Sequence, residues 1–295
     1  MRAALLPDRG VIKIAGENAR HFLNGLVTAD LAKVSPGRAR YAALLTPQGK
    51  IIADFIVVEA SAEDGGGFFL DVPRALARTL VDRLNFYKLR AKLTVEDLSD
   101  GLGVLAVWDG EGESEYGLSY ADPRLAALGL RVILPPQVAA EAAKDLGAAL
   151  VEPAEYEAHR IALAVPRGGL DFTYGDAFPH EADMDQLAGV DFDKGCYVGQ
   201  EVVSRTQHRG SARNRVIGVA FEFAPEAGVP VMAGDRQVGV MGSGAGGRGL
   251  AMLRLDRVSD ALARNVPLTA GGIAVQPRKP DWARFTFPLE AAAAE

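Results

Sequence analysis

Cys196 is the only cysteine in this 295-residue chain, so no disulfide can form within it. Thiolates of a single copy also cannot complete a zinc or iron–sulfur site, and any cluster must be shared with another molecule. No apolar run is long enough to cross a bilayer, and the stretch from Met1 to Gly10 has too short an apolar core for a signal peptide. A cytoplasmic location without membrane contact is the expectation. The 32 Lys and Arg residues are scattered over a chain of net charge −6, without the basic footprint of a nucleic-acid binder. Direct contact with RNA or DNA is not expected.

With 48% apolar residues over this length, two or three packed units are expected. Phe22, Leu23, Leu26, Val27 and Leu31 recur at helical spacing after Gly16–Asn18, and Pro36-Gly37 closes the run, which predicts one amphipathic helix. Residues 41–46 and 50–59 read as strands joined by a Pro47-Gln-Gly49 turn, which places Asp54 inside the second strand. A strand over 68–72 leads through Pro73 into a helix with Leu76, Leu80 and Leu84 stacked at four-residue intervals. Short strands alternate with Gly-rich and acidic loops from 104 to 134, and 138–150 and 153–163 read as helices.

Beyond Arg213 the pattern changes to short strands, at 215–223, 236–241, 250–255 and 273–276, punctuated by Gly and Pro. A separate small β-barrel is expected there. Glycines at 242, 244, 246, 247 and 249 invite a phosphate-loop reading, but they precede a strand and lack the Lys-Ser/Thr pair. A hairpin turn is the better reading.

Asp193 to Arg205 gathers a thiol, an amide, carboxylates and cations around two glycines. A helix starting near Gly199 puts Cys196 just before its N-terminus, where unpaired N–H groups favour a thiolate, with Lys194 adding positive charge. In that helix Glu201 and Arg205 are four residues apart, which permits an ion pair that orients the carboxylate for binding or proton transfer. The competing reading makes Cys196 a buried packing residue and the pair a surface contact. Arg205, His208, Arg209 and Arg213 follow, either to meet ligand carboxylates or to form a solvated basic turn. His180 is a candidate partner for the thiol, and Asp54 is an acid facing a cavity or a residue at an exposed rim.

Lys194-Gly-Cys-Tyr-Val-Gly-Gln-Glu201 followed by Arg205 resembles the K-G-C-[YF]-x-G-Q-E-x-x-x-R signature of the YgfZ family. Phe22-Leu-Asn-Gly-Leu-Val-Thr-Ala-Asp30, Leu45-Thr-Pro-Gln-Gly-Lys-Ile-Ile-Ala-Asp54, Tyr87-Lys-Leu-Arg90 and Pro179-His-Glu-Ala182 extend the likeness in the family's order. The resemblance implies an α+β fold of the aminomethyltransferase type, a three-subdomain ring around a central folate cavity. Two α+β subdomains would occupy residues 1–212, a C-terminal β-barrel 213–288, and a disordered tail 289–295. It implies tetrahydrofolate or a one-carbon derivative as cofactor, with Asp54, Lys194, Tyr197, Gln200, Glu201 and Arg205 binding it and Cys196, Glu201 and Asp54 carrying any chemistry. It further implies assembly or repair of iron–sulfur clusters with client enzymes or assembly proteins as partners, transfer-RNA-thiomethylating enzymes among them.

Two departures weigh on a rival reading, a glycine-cleavage aminomethyltransferase. Where those proteins resemble Gly-Gly-x-x-Asp-Asp this chain has Ala53 before Asp54, and where they read Arg-Leu-Glu-Ala-Gly it has Ala162 in place of the carboxylate. A third reading is a non-catalytic folate sensor whose ligand changes its affinity for a partner.

Overall fold

A computed structural model of the chain describes residues 1–210 and 212–286. They form two compact units, each discontinuous in sequence: Met1–Tyr156 with Leu187–Gln200, and Glu157–Gln186 with the chain from Glu201 onward.

The first unit contains β1 (Arg2–Leu6), β2 (Arg9–Ala15), α1 (Ala19–Asn24), β3 (Arg40–Leu45), β4 (Ile51–Glu59), β5 (Phe68–Pro73), α2 (Ala77–Lys88), β6 (Thr94–Asp97), β7 (Gly103–Trp108), β8 (Leu118–Ala121), β9 (Leu130–Leu134), α3 (Ala139–Asp145) and β10 (Ala149–Leu150). The strands make two five-stranded sheets, ordered β3-β4-β5-β2-β6 and β10-β1-β7-β9-β8. Every pairing is antiparallel except β1 with β10. Each sheet buries one face under a helix: Leu80 and Leu84 of α2 join a core with Ile12, Phe55, Val57 and Leu70, while Ala139, Ala142 and Ala143 of α3 join Leu105, Val107 and Val132. The near-continuous apolar run of β4 suits a strand covered on both sides.

The helix expected from 18 to 31 is much shorter, since α1 stops at Asn24 and a single 3-10 turn follows at Leu31–Lys33. The physical reason lies far along the chain. Lys194 Nζ donates to the carbonyl oxygens of Asn24, Val27 and Ala29 at 2.8, 2.6 and 2.8 Å. A continuous helix would need those acceptors for its own i+4 amides. The β3–β4 hairpin forms as expected, with Ala43 opposite Asp54.

The helix α4 (Pro153–Ala162) runs into the second unit, as does α5 (Gln200–Arg209), and the barrel follows. Its strands are β11 (Asn214–Ala220), β12 (Pro230–Ala233), β13 (Arg236–Ala245), β14 (Arg248–Arg254), β15 (Leu268–Ala270) and β16 (Ile273–Arg278), with α6 (Leu255–Ala263) after β14. They close in the order β11-β14-β13-β12-β15-β16 around Ile217, Val231, Met241, Leu253 and Val275. Gly246 and Gly247, at φ +56° and +77°, turn β13 into β14, so the glycine cluster is a hairpin. Arg160 of α4 ties this unit together by donating to Asp171 at 2.8 Å, Ser243 at 2.8 Å and Glu157 at 3.0 Å. The expected tail, 289–295, lies outside the described residues.

Candidate functional site

Asp54 is 6% exposed on β4, so the exposed-rim reading is set aside. Its Oδ2 accepts the hydroxyl of Tyr41, from β3, at 2.7 Å. Burial, then the Asp54 charge, pushes the Tyr41 phenol well above its usual pKa. The Arg124 guanidinium lies 5.7 Å from the Tyr41 ring centroid and binds Asp122 through two nitrogens at 2.9 and 2.7 Å. Asp122 also accepts from Arg131 Nε at 2.9 Å, and Arg131 Nη1 donates to Asp71 at 2.7 Å. Arg9 Nε closes the series on Asp71 at 2.6 Å, while Tyr120 donates to Asp71 at 3.0 Å.

Three guanidiniums and three carboxylates thus alternate from Arg9 to Asp54, through both sheets of the first unit. Burial alone would raise the carboxyls of Asp71 and Asp122, but the adjacent guanidiniums hold both below the usual range. Sequence reading missed this network. Its only signal is an isolated charge inside otherwise apolar strands, Asp71 in Phe68–Pro73 and Arg131 in Leu130–Leu134.

Residues 187–200 are pinned to the same unit at several points. Thr28 Oγ1 donates to Gly189 O at 2.5 Å, the Asp191 amide donates to Thr28 O at 3.0 Å, and Lys33 pairs with Asp191. Lys194 is held by its three carbonyls, and burial pulls its ammonium down to about 8 against the charges of Asp30 and Asp191. Its positive charge, expected to act on the thiol, is wrapped by the 24–29 loop. Tyr197 is buried with its ring centroid 5.1 Å from Lys194 Nζ, and Val198 packs on the sheet core. Gly199 has φ +84°, and a Cβ there would lie 2.7 Å from Thr46 O and 3.1 Å from Gly49 Cα. Only glycine lets the segment lie so close to the β3–β4 turn. Between the buried anchors Lys194 and Tyr197, Gly195 and Cys196 stand exposed. The packing-residue reading of Cys196 is therefore set aside.

α5 begins at Gln200, one residue after the expected start. Gln200 is half-buried, and its amide donates to Tyr197 O at 3.3 Å. Glu201 and Arg205 are exposed on α5, and no ion pair joins them among the described residues. The expected pairing is corrected: solvent competes for both ends of two long side chains, and spacing alone does not hold them together. His208, also on α5, and Arg213 beyond it are exposed as well, which leaves these side chains open to solvent or to a ligand's carboxylates. His180 is buried, with Nε2 3.1 Å from Gln207 Oε1, and burial lowers its pKa. Gln207 is the α5 residue it meets, which gives it a neighbour other than the thiol proposed for it. Arg215 donates to Asp183 at 2.8 Å and to both oxygens of Asp185 at 2.9 Å, and burial drives the Asp183 carboxyl well above its usual pKa.

Chemically, the first unit offers an exposed thiol on an anchored loop and a buried acid held by a phenol, and the second an exposed carboxylate and an exposed guanidinium on α5. Among the described residues no group of three or more His, Cys, Asp or Glu side chains is placed to hold a metal ion. No described helix is long and apolar enough to cross a membrane.

Residues 8–111 match the GCVT N-terminal domain, and residues 213–285 match the CAF17 C-terminal beta-barrel domain. The human protein named iron-sulfur cluster assembly factor IBA57, mitochondrial, is 30% identical over 310 residues, covering 94% of this chain and 84% of that protein. The homologue from Pyricularia oryzae is 32% identical over 295 residues, covering 90% and 75%. The homologue from Mycosarcoma maydis is 33% identical over 235 residues, and the match spans 76% of this chain but only 58% of that relative's length. Among solved structures, glycine cleavage system aminomethyltransferase T from Bartonella henselae matches with a TM-score of 0.73 at 16% identity, covering 97% of this chain and 87% of that one. The fold is therefore that of the aminomethyltransferases, with α+β subdomains and a six-stranded C-terminal barrel. The expected cytoplasmic location does not stand, because these curated relatives are all named mitochondrial. Lack of a bilayer-length run does not distinguish one aqueous compartment from another.

Proposed function

We infer that this chain, which belongs to the family of iron–sulfur cluster assembly factors named IBA57, supports the assembly or repair of iron–sulfur clusters in client proteins. The observation that carries the reading is the display of Cys196, exposed between two buried anchors on a segment fastened to a rigid sheet. One thiolate cannot hold a cluster alone, so its role is shared ligation. The sulfur gives an electron pair to an iron of a cluster held by a partner, its proton goes to solvent, and no net electron transfer is needed. Cys196→Ser keeps the size and polarity of the site and removes the soft ligand. Client iron–sulfur enzymes are expected to lose activity when this variant replaces the wild type at equal protein levels. Full activity would reject shared ligation by the thiol.

The finer reading is of the YgfZ type: support depends on tetrahydrofolate and extends to transfer-RNA-thiomethylating enzymes. The donor set suits a reduced folate, since a pterin ring needs a carboxylate acceptor and the glutamate tail needs a cation. On α5 Glu201 offers the first and Arg205 the second, with no ion pair between them among the described residues, while Asp54 is a separate buried acceptor in the first unit. A bound reduced folate supplies a carrier for one-carbon units. Calorimetric titration with reduced and oxidised folates tests this: Glu201→Gln and Arg205→Gln are each expected to weaken binding of the reduced form about tenfold, the worth of one charged hydrogen bond. Equal affinity for all three proteins removes these residues from the site. The transferase reading is weaker, because Ala53 is buried in β4 and Ala162 is exposed, and neither offers a carboxylate.

A further inference from the structure

The C-terminal end of α2 carries features that neither the fold nor the Cys196 segment uses. Ala77, Leu80 and Leu84 seat the helix on its sheet, yet Phe86 and Leu89 point away and are 73% and 87% exposed. They are the two most exposed large apolar side chains among the described residues. Leu89 also has φ +47° and ψ −109°, a backbone conformation that suits glycine and strains leucine. A strained backbone that holds a leucine in water does nothing for the core. The Tyr87 ring props Phe86 edge-on at 5.7 Å.

Around these two side chains the charge is of one sign. Residues 83–92 hold Arg83, Lys88, Arg90 and Lys92 and no carboxylate, within a chain of net charge −6. Lys92 has Glu17 at 3.6 Å, and the nearby Asp82 faces Arg78 at 3.5 Å. Arg83, Lys88 and Arg90 form no ion pair among the described residues.

We propose that Phe86, Leu89 and the unpaired cations Arg83, Lys88 and Arg90 form a docking surface for an acidic protein surface with an apolar notch, belonging to a cluster donor or client. The proposal rests on the assembly role inferred above. Protruding apolar anchors ringed by cations match a protein interface, where a few buried side chains dominate affinity and rim charges steer approach. A nucleic acid fits less well. Leu89 has no π face for a base, and the rest of the chain repels a polyanion.

The test places the photo-crosslinker p-benzoylphenylalanine at position 86 of the full chain in cells, with position 141 on α3 as an exposed control. The expected adduct is an acidic iron–sulfur assembly or client protein, absent from the control and lost in the Arg83→Glu/Arg90→Glu variant. Adducts only with RNA or with a second copy, or no adduct, overturn the proposal. In parallel, Phe86→Ser/Leu89→Ser is expected to lower client iron–sulfur activity about tenfold with an unchanged thermal midpoint, the loss typical of removing central anchors. Unchanged activity also overturns it. Cys196→Ser run alongside separates the two ideas: if that variant fails while the double serine variant works, only the docking surface falls. If Cys196→Ser supports full activity, only the thiol's ligand role falls, and the double serine variant and the crosslink still decide the surface.

Discussion

Tyr41 donates its hydroxyl to Asp54 across the β3–β4 pairing at 2.7 Å, which makes Asp54 the last member of an alternating series of buried charges. The series accounts for an acid in the middle of an apolar strand. Asp54 balances Arg124 across the Tyr41 ring, Asp122 lies between Arg124 and Arg131, and Asp71 lies between Arg131 and Arg9.

Tyr41→Phe removes one hydrogen bond to a charged group and little volume. The expected loss is about 1.5–3 kcal/mol of stability, because the carboxylate stays buried without that donor. Urea denaturation followed by far-ultraviolet circular dichroism measures it.

Arg131→Met strips a donor from both Asp71 and Asp122. Breaking a buried pair costs about 3–5 kcal/mol, whereas Arg78→Ala, which breaks only an exposed pair, stays within about 0.5 kcal/mol. The sign with pH follows from the lowered carboxyls of Asp71 and Asp122. Their contribution is complete above the unfolded carboxyl value of about 4 and is lost as pH falls below it toward the folded values. Wild type is therefore expected to lose more stability than Arg131→Met between pH 5 and roughly pH 2, by paired denaturation curves.

Lys194→Met keeps the length of the side chain but leaves three carbonyls without their shared donor. About 2–4 kcal/mol of stability is expected to go. Amide exchange should quicken at residues 24–29 and 189–197 and stay unchanged in the barrel, as read by mass spectrometry. Equal protection in both proteins would show that the ammonium is no anchor.

Asp183→Asn should act in the opposite direction to the Asp71 network. The raised carboxyl of Asp183 favours folding fully below the unfolded value of about 4, and that advantage is lost as pH rises toward the folded value, by up to about 1.4 kcal/mol per unit. Asparagine cannot ionise, retains an acceptor for Arg215 and tolerates the φ of +56° at this position. The variant is expected to gain stability relative to wild type between pH 4 and 7. A constant difference over that range would mean that Asp183 is ionised in the folded chain.

Much of the chain was legible where its signals are local. The Pro47-Gln-Gly49 turn between two β-rich runs gave the hairpin and put Asp54 in a strand, and the glycines after 242 read correctly as a turn. The start of α5 was placed within one residue. What failed depends on partners distant in sequence. The length of α1 is set by an ammonium some 170 residues away, and the charge network joins strands whose single polar residues look incidental one at a time. Spacing allowed Glu201 to meet Arg205 but supplied no force to keep the pair in water. The α6 helix was missed because Leu255–Ala263 sits inside a run of strand and turn signals.

The first unit recruits Leu187–Gln200 after the chain has already entered the second. During synthesis, then, the 24–29 carbonyls wait for a side chain that emerges only after about 170 further residues are made, roughly 10–30 s at ordinary ribosomal speed. A fragment ending at Tyr156 would contain every strand of both sheets but not the clasp, so the thiol loop is among the last parts of its unit to be built.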